Sequence, residues 1–270
     1  LDMFEDHLET TGKLLASSSG IIIVTGPTGS GKTTSLYAFL SELIGDDRKI
    51  ITVEDPVEYQ TPGITQIQVH SEIGLSFASV LRSVLRQDPD IILVGEIRDR
   101  ETAETAVQAA LTGHLVLATL HTNDAASAFV RLMDMGVESY LLATSVIGVM
   151  AQRLVRKSCA HCKSPDQAGS GQAEALGYVD LEKKWPGLSV DKNYAESEGC
   201  PVCMGTGFAG RRSIFEMFAV NETMRHIIAT KPEQLSAHLA ESGFRSLKED
   251  GMLRAAAGDT TISEVIRVAG

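Results

Sequence analysis

The chain has 270 residues and a formal net charge of −11, with 35 acidic and 24 basic side chains. A chain of this length can bury one large or two moderate hydrophobic cores. The acidic balance argues against a protein that binds the phosphate backbone of nucleic acids, because such binding needs a basic surface. No apolar run approaches the ~20 residues of a membrane span and no signal peptide is evident, so we expect a cytosolic protein.

The first informative segment follows a helix-like stretch that starts at Leu1, an abrupt beginning from which we expect a fragment lacking an upstream domain. Ile21–Val24 is a short β-branched run that is typical of a buried strand. It leads directly into Gly-Pro-Thr-Gly-Ser-Gly-Lys-Thr at residues 26–33, and Thr34–Leu43 is predicted to be a helix. Strand, glycine-rich loop and helix in this order form the context that a P-loop requires.

A P-loop binds phosphate because its glycines let backbone N–H groups point at the phosphate oxygens. Lys32 can reach the β- and γ-phosphates, and the Thr33 hydroxyl can ligate Mg²⁺. The alternative is a glycine-rich turn without a ligand, which the strand–loop–helix context disfavours. We therefore predict an ATP site whose binding residues are Gly26, Pro27, Thr28, Gly29, Ser30, Gly31, Lys32, Thr33 and Thr34.

Further strand-like and helix-like segments alternate along the first half of the chain. The predicted strands after the first are Ile50–Val53, Ile91–Val94 and Leu115–Ala118, and helical periodicity marks Phe77–Arg86 and Thr102–Leu111. Ile64–Val69 alternates apolar and polar residues, which indicates an extra exposed strand or one arm of a hairpin. Strand alternating with helix predicts an α/β fold with a mainly parallel sheet.

The second half of the chain is less regular. We predict a helix from an Asn123 cap to about Met135, and a second apolar helix over Ser139–Met150. Residues 163–199 are polar and weakly patterned, with one short helix at Gln172–Leu176. A strand or two over Arg211–Val220 precedes helices around Glu222–Ala229, Glu233–Glu241 and Leu247–Ala257, and a last helix that starts at Thr261 or Ser263.

Carboxylates follow two of the predicted strands. Glu96 ends the strand Ile91–Val94, where P-loop enzymes carry an acidic residue beside the triphosphate and Mg²⁺. The preceding position, which is often an Asp, is Gly95. Glu54, Asp55 and Glu58 follow another strand, where three carboxylates are costly unless they are solvated, paired or close to a cation. An acidic surface turn is the alternative, but the P-loop and Glu96 in the same sheet favour a catalytic role.

Two histidines bracket the strand Leu115–Ala118. A rise of ~3.3 Å per residue places His114 and His121 about 23 Å apart, so they cannot coordinate one atom together. One is predicted to sense the γ-phosphate and the other to contact a neighbouring subunit. A packed or capping histidine is the alternative for each.

All four cysteines lie in two Cys-x-x-Cys pairs, Cys159–Cys162 and Cys200–Cys203. Two such pairs can supply the four thiolates of a tetrahedral zinc site, and a cytosolic compartment disfavours disulfides. Redox thiols or an iron–sulfur cluster are the alternatives. We predict structural zinc, with His161 facing solvent rather than binding the ion.

Together these segments resemble the type II secretion and type IV pilus assembly ATPases, over essentially the whole chain. The matching segments are the P-loop Gly26–Thr33, the aspartate-box-like Glu54–Glu58, Arg86–Asp99 with its Gly-Glu pair, the histidine-box-like Thr112–Asn123, Ala151–Leu154 and the four cysteines. Pilus retraction ATPases look similar around the P-loop but lack the cysteine pairs. The segment from Met133 through Arg156, followed by a cysteine pair, is more similar to the secretion branch.

The resemblance implies a RecA-like P-loop core over residues 1–157, a tetracysteine zinc lobe over 158–212 and a C-terminal helical subdomain over 213–270. It implies a hexameric motor at the cytoplasmic face of the inner membrane. Such a motor uses ATP, Mg²⁺ and Zn²⁺, works with membrane platform proteins, and carries a further N-terminal domain. It would drive pseudopilus assembly and protein export, or extension of a type IV pilus as the alternative.

The resemblance also suggests roles for individual side chains. Glu96 is the strand-end acid, and Glu58 is the candidate that orients or deprotonates water, although their relative roles stay open. Arg82, Arg86 and Arg98 are candidates to neutralise phosphate charge, either within one chain or across a subunit interface. Two rival functions are a nucleic-acid translocase, which the acidic balance disfavours, and a nucleotide-binding scaffold that does not hydrolyse ATP.

Overall fold

A seven-stranded, mostly parallel sheet organises the protein, in a computed structural model that describes residues 1–178, 181–185, 188 and 192–270. Its strands are β1 (Gly20–Thr25), β2 (Ile50–Glu54), β3 (Ile64–Gln68), β4 (Ile91–Val94), β5 (Leu115–Leu120), β6 (Val146–Ser158) and β9 (Phe208–Ala219), in the spatial order β3-β2-β4-β5-β1-β6-β9. Two short strands, β7 (Lys163–Pro165) and β8 (Ala195–Ser197), form a separate antiparallel pair.

Twelve helices are assigned within the described residues. They are α1 (Glu5–Leu15), α2 (Lys32–Leu43), α3 (Phe77–Val84), α4 (Arg100–Leu111), α5 (Ser127–Asp134), α6 (Ser139–Ser145), α7 (Gly169–Ala175), α8 (Leu181–Lys184), α9 (Glu222–Thr230), α10 (Leu235–Glu241), α11 (Leu247–Ala256) and α12 (Ile262–Ala269). Short 3-10 turns lie at Ser71–Ile73, Pro201–Cys203 and Pro232–Gln234. No helix in the described ranges is long and apolar enough to cross a membrane.

The sheet is buried on both faces, and alternate residues of its strands serve two separate apolar clusters. In β1, Ile21 and Ile23 face the cluster that α3 to α6 cover, whereas Ile22 and Val24 face α1 and α2. β1 pairs in parallel with β5 on one side and with β6 on the other. The predicted α/β fold with a mainly parallel sheet is therefore confirmed.

Two predictions for individual elements are wrong. The apolar run Ser139–Met150 is not one helix, because α6 ends at Ser145 and the chain continues as β6 beside β1. A short apolar run has no periodicity that separates a buried strand from a buried helix, and pairing with β1 decides here. Asn123 is not the cap of α5, since the backbone N–H of Ser127 donates to the Asp124 carboxylate instead.

Strand pairing and helix capping settle two alternatives that the sequence left open. β3 runs parallel to β2, so Ile64–Gln68 is an edge strand and not a hairpin arm. The last helix starts after Thr261, whose hydroxyl accepts the Glu264 N–H, so Thr261 rather than Ser263 is its cap.

The segment with the four cysteines lies against the C-terminal helices. Ala173 on α7 and Tyr194 before β8 belong to the same apolar cluster as Met252 on α11 and Val265 on α12. The short helix predicted near Gln172 is present as α7. Part of the predicted zinc lobe, residues 179, 180, 186, 187 and 189–191, lies outside the described residues. β9 crosses the predicted boundary at residue 212 and pairs with β6, so the lobe is inserted at the edge of the main sheet.

Glu264 is a buried carboxylate that joins α12 to β6. It accepts the backbone N–H of Arg156 at 3.0 Å and charged N–H groups of Arg156 and Arg267 at 2.6 to 2.7 Å. Burial alone would raise the pKa of Glu264, but the hydrogen bonds from Arg267 and Arg156 outweigh it and lower the pKa from 4.5 to about 2.

We expect Glu264→Gln to lower the free energy of unfolding by about 1–3 kcal/mol at pH 7, because charged hydrogen bonds are lost. Since the folded-state pKa is depressed, this contribution is complete above pH 4.5 and disappears as the pH falls towards about 2. In urea unfolding, the difference in free energy of unfolding between wild type and variant should therefore shrink by more than half from pH 7 to pH 3. An equal difference at both pH values would contradict the stabilising role of the ionised Glu264 carboxylate.

Candidate functional site

A cavity of about 650 Å³ opens at the carboxyl ends of the parallel strands. Chain segments leaving β1, β2, β4 and β5 meet there, because parallel strands end at the same edge of a sheet. The lining side chains used below are those of Thr28, Lys32, Thr33, Thr34, Tyr37, Glu54, Asp55, Glu58, Glu96, Arg98, His121, Leu154 and Arg211. The structure thus brings the P-loop and most of the predicted acidic residues together around one space.

The P-loop is seated so closely against β6 that two of its positions require glycine. A Cβ on Gly26, where φ is 149°, would lie 2.4 Å from the Gln152 carbonyl oxygen. A Cβ on Gly31, the N-cap of α2 with φ of 90°, would lie 2.8 Å from the Gln152 side-chain nitrogen. Gln152 is itself held by the Ser35 hydroxyl at 2.7 Å. The loop conformation is therefore set by β6 and α2 together.

Lys32 opens α2 and its ammonium group folds back over the loop. Its Nζ donates to the carbonyl oxygens of Gly26 at 2.8 Å and of Pro27 at 3.1 Å. Burial lowers the pKa of Lys32, while the charge of Glu96 acts in the opposite direction. The Ser30 hydroxyl is buried and has no hydrogen-bond partner among the described residues. An unsatisfied donor, a lysine and the start of a helix suit a phosphate group.

Glu96 lies between Arg98 and His121 on the wall of the cavity. Its carboxylate accepts the Arg98 Nε–H at 2.6 Å, and His121 Nε2 lies 3.2 Å from its other oxygen. Arg98 also lies 3.6 Å from Asp55. The residue before Glu96 is glycine for a steric reason, since a Cβ on Gly95 would lie 3.0 Å from the Val53 carbonyl oxygen.

The carboxylates after β2 have different environments. Glu54 is buried and accepts hydrogen bonds from Thr52 at 2.6 Å, Tyr37 at 2.7 Å and Gln66 at 3.2 Å. Burial and the Glu54 hydrogen bond raise the pKa of Tyr37 to about 12. Glu58 is exposed and faces the cavity. Glu54 therefore organises the wall, and Glu58 is free to approach a small molecule such as water.

Several predicted site residues lie elsewhere. His114 is at the other end of β5, where its Nδ1 lies 2.9 Å from the Ala109 carbonyl oxygen. Arg82 pairs with Glu101, and Arg86 contacts Ser83 at 3.4 Å; neither arginine is among the described residues that line the cavity. None of these three side chains is among the described residues that line the cavity.

The structure adds residues that the sequence did not point to. Arg211 and Leu154 line the cavity from β9 and β6, two antiparallel strands that lie beside the P-loop. Arg211 belongs to no recognisable motif, and Leu154 ends the segment Ala151–Leu154, which the sequence singled out for its family resemblance without assigning it to the nucleotide site. Their position depends on the pairing of strands that are separated by the cysteine-containing segment, and local sequence carries no signal for that pairing.

The four cysteine sulfurs form a compact cluster away from this cavity, all within 4.8 Å of one another. Cys159 and Cys200 are 3.9 Å apart, Cys162 and Cys203 are 3.8 Å apart, and Cys200 and Cys203 are 3.7 Å apart. A tetrahedral zinc ion with Zn–S bonds of ~2.3 Å needs sulfurs about 3.8 Å apart, so the geometry fits zinc.

The surroundings of the cysteine cluster also suit thiolate ligands. Cys203 Sγ accepts backbone N–H groups of Cys200 at 3.1 Å and of Gly207 at 3.2 Å. Such donors stabilise negative charge on a metal-bound sulfur. His161 is exposed and does not belong to the cluster.

Comparison with known proteins gives a consistent family. The family of Type II/IV secretion system proteins matches residues 1–267. The chain is 48% identical to the type II secretion system protein HxcR of Pseudomonas aeruginosa, covering 99% of this chain and 52% of that protein. It is 46% identical to the type II secretion system ATPase E of Vibrio cholerae, with the same two coverages. The chain thus spans about half the length of the curated relatives it matches.

Solved structures agree with this result. The pilus retraction motor PilT with bound ADP is 28% identical, with a TM-score of 0.72 over 99% of this chain and 65% of that one. The Legionella pneumophila ATPase DotB shares the fold, with a TM-score of 0.70 at 24% identity, over 98% of this chain and 63% of that one. A P-loop cavity, a cysteine cluster and relatives along the whole chain lead to one conclusion: the chain belongs to the Type II/IV secretion system protein family.

Proposed function

We propose that this chain is the ATP-hydrolysing motor portion of a type II secretion ATPase, which drives pseudopilus assembly and protein export from the cytoplasmic face of the inner membrane. The observation that carries the proposal is the convergence of the P-loop with Glu96, Arg98 and His121 around one cavity. Relatives at 46 to 48% identity carry type II secretion names, which favours secretion over type IV pilus extension.

In this proposal the P-loop binds the triphosphate of ATP. Backbone N–H groups of the loop would donate to phosphate oxygens, and the Lys32 ammonium group would exchange its contacts with the Gly26 and Pro27 carbonyl oxygens for phosphate contacts. Thr33 and Glu96 would hold Mg²⁺, which supplies electrostatic stabilisation of the phosphate charge. The remaining nucleotide contacts are proposed for Thr28, Gly29, Ser30, Gly31 and Thr34, which lie within the same loop and helix start.

Further side chains that line the cavity are proposed to act on the attacking water. Glu58 is exposed at the cavity and is proposed to orient or deprotonate the water. His121 is proposed to sense whether a γ-phosphate is present, and its contact with Glu96 at 3.2 Å supports this role. Arg98 pairs with both Glu96 and Asp55, so it stabilises this acidic cluster and is available to phosphate oxygens.

The proposed assembly is a hexamer in which a neighbouring copy completes each site. Arg86, Arg82 and His114 lie outside the cavity of their own chain, as expected for residues that act across an interface. We propose residues 1–157 as the ATPase core, 158–212 as the zinc lobe and 213–270 as the C-terminal subdomain. A further N-terminal domain and platform proteins of the inner membrane complete the machine.

We expect ATP hydrolysis at this site to depend on Glu96, whereas ATP binding should not depend on it. We expect Glu96→Gln to retain ATP binding while its turnover falls by about 10²-fold or more, because a positioned carboxylate is lost. Lys32→Ala should lose binding as well. Phosphate release and fluorescent-nucleotide binding separate the two effects, with the exposed Glu9→Gln as control. Near-normal turnover in Glu96→Gln would remove Glu96 from the mechanism.

An arginine that acts across an interface can be supplied by a different subunit. We expect Arg86→Ala to lose about 10³-fold in rate, the typical cost of a missing arginine finger. Mixing inactive Arg86→Ala with inactive Lys32→Ala should restore part of the ATPase activity, because one mixed interface contains both residues. Arg98→Ala mixed with Lys32→Ala is the matched control and should stay inactive. No recovery in the first mixture would place Arg86 outside the site.

The cysteine cluster should contain one zinc ion per chain. We expect Cys200→Ser to lose the metal and to unfold the part of the zinc lobe that lies between β6 and β9 while the P-loop sheet stays folded, because metal binding and local folding are coupled. Metal analysis by mass spectrometry and hydrogen exchange report the two effects. His161→Ala is the control and should keep its zinc. Freshly purified wild-type protein without metal would exclude the zinc site.

A further inference from the structure

Glu216 is a carboxylate at a strand position where the pattern calls for an apolar side chain. In β9, Ile214 and Phe218 belong to the apolar cluster on one sheet face, and Phe215 and Met217 belong to the cluster on the other. Glu216 alternates with the second pair, so it faces the same side as Ile214 and Phe218. Burial raises the pKa of Glu216, the backbone hydrogen bonds from Ala125 and Leu247 act in the opposite direction, and the nearby charges of Asp124 and Glu249 add to the rise. Because a partly buried carboxylate is costly unless hydrogen bonds compensate it, the partners of Glu216 are informative.

The two oxygens of Glu216 connect two different segments. One accepts the Ala125 N–H at 2.8 Å, and the other accepts the Leu247 N–H at 3.3 Å. Ala125 belongs to the loop that follows β5, and Leu247 is the first residue of α11. Glu216 therefore bridges the loop over residues 121–125, here called the β5 loop, and the C-terminal helices.

The other end of the β5 loop lies in the candidate active site. His121 approaches Glu96 to 3.2 Å. The Thr122 N–H donates to the Thr25 hydroxyl at 2.9 Å, and the two threonine hydroxyls are 2.7 Å apart. Thr25 is the last residue of β1, directly before the P-loop. The β5 loop is thus fastened to the P-loop strand at one end and to Glu216 at the other.

We propose that Glu216 is a positioning residue that acts through the β5 loop, holding His121 beside Glu96 and tying that placement to α11. A carboxylate suits this role because each oxygen accepts one of two converging N–H groups. An amide of the same shape offers one acceptor and turns its own N–H₂ towards the second donor. The proposal rests on the function proposed above, with His121 as the side chain through which Glu216 acts.

Glu216→Gln tests the proposal with little change in volume. We expect kcat for ATP to fall about tenfold while KM stays within about twofold, because the P-loop contacts are retained. Amide hydrogen exchange should become faster at Ala125, at Leu247 and also at Thr122. The double variant with His121→Gln should be no slower than His121→Gln alone, since both changes remove the same placement.

Glu264→Gln is the matched control. It makes the same substitution in a buried carboxylate that also accepts a backbone N–H, but it lies at α12 and away from the β5 loop. It should leave kcat, KM and Thr122 exchange unchanged at a temperature where it stays folded.

Three results would overturn the proposal. These are an unchanged kcat in Glu216→Gln, rate losses that multiply in the double variant, and faster exchange that stops at Ala125 without reaching Thr122. If the wild-type chain itself shows no turnover, the proposed function fails. Amide hydrogen exchange at Thr122 still tests the positioning role of Glu216 in that case, because this measurement needs no catalysis.

Discussion

The parallel pairing of β1 with β5 and β6 is the constraint on which the rest of the structure depends. Parallel strands end at one edge of a sheet, so the chain leaving each of them enters the same space. The P-loop after β1, Glu96 after β4 and His121 after β5 meet for this reason. The close approach of Gly95 to β2 and of Gly26 to β6 shows how little room the arrangement leaves for larger residues.

The cysteine cluster is attached to the same sheet by a different physical principle. The four sulfurs close a long insertion between β6 and β9, and the cost of closing a loop grows only slowly with its length. The insertion also shares an apolar cluster with α11 and α12. Order in the lobe, in the C-terminal helices and at the sheet edge is therefore connected through packing as well as through the cysteines.

The sequence by itself determined the fold class and the local chemistry. Short β-branched runs, the glycine spacing of the P-loop and the Cys-x-x-Cys pairs are local patterns that depend on neighbouring residues, and each has few structural solutions. They predicted the parallel sheet, and they predicted Lys32, Glu58 and Glu96 as members of one site. The structure places those three side chains around one cavity.

Only the tertiary structure decided which residues meet from distant segments. The apolar run Ser139–Met150 divides into α6 and β6 because β1 offers a pairing edge, and no local pattern records that edge. The entry of Arg211 into the cavity and the bridge made by Glu216 depend on strand register and helix packing. Such contacts join residues far apart in the chain, and they form only when the strands pair and the helices pack against the sheet.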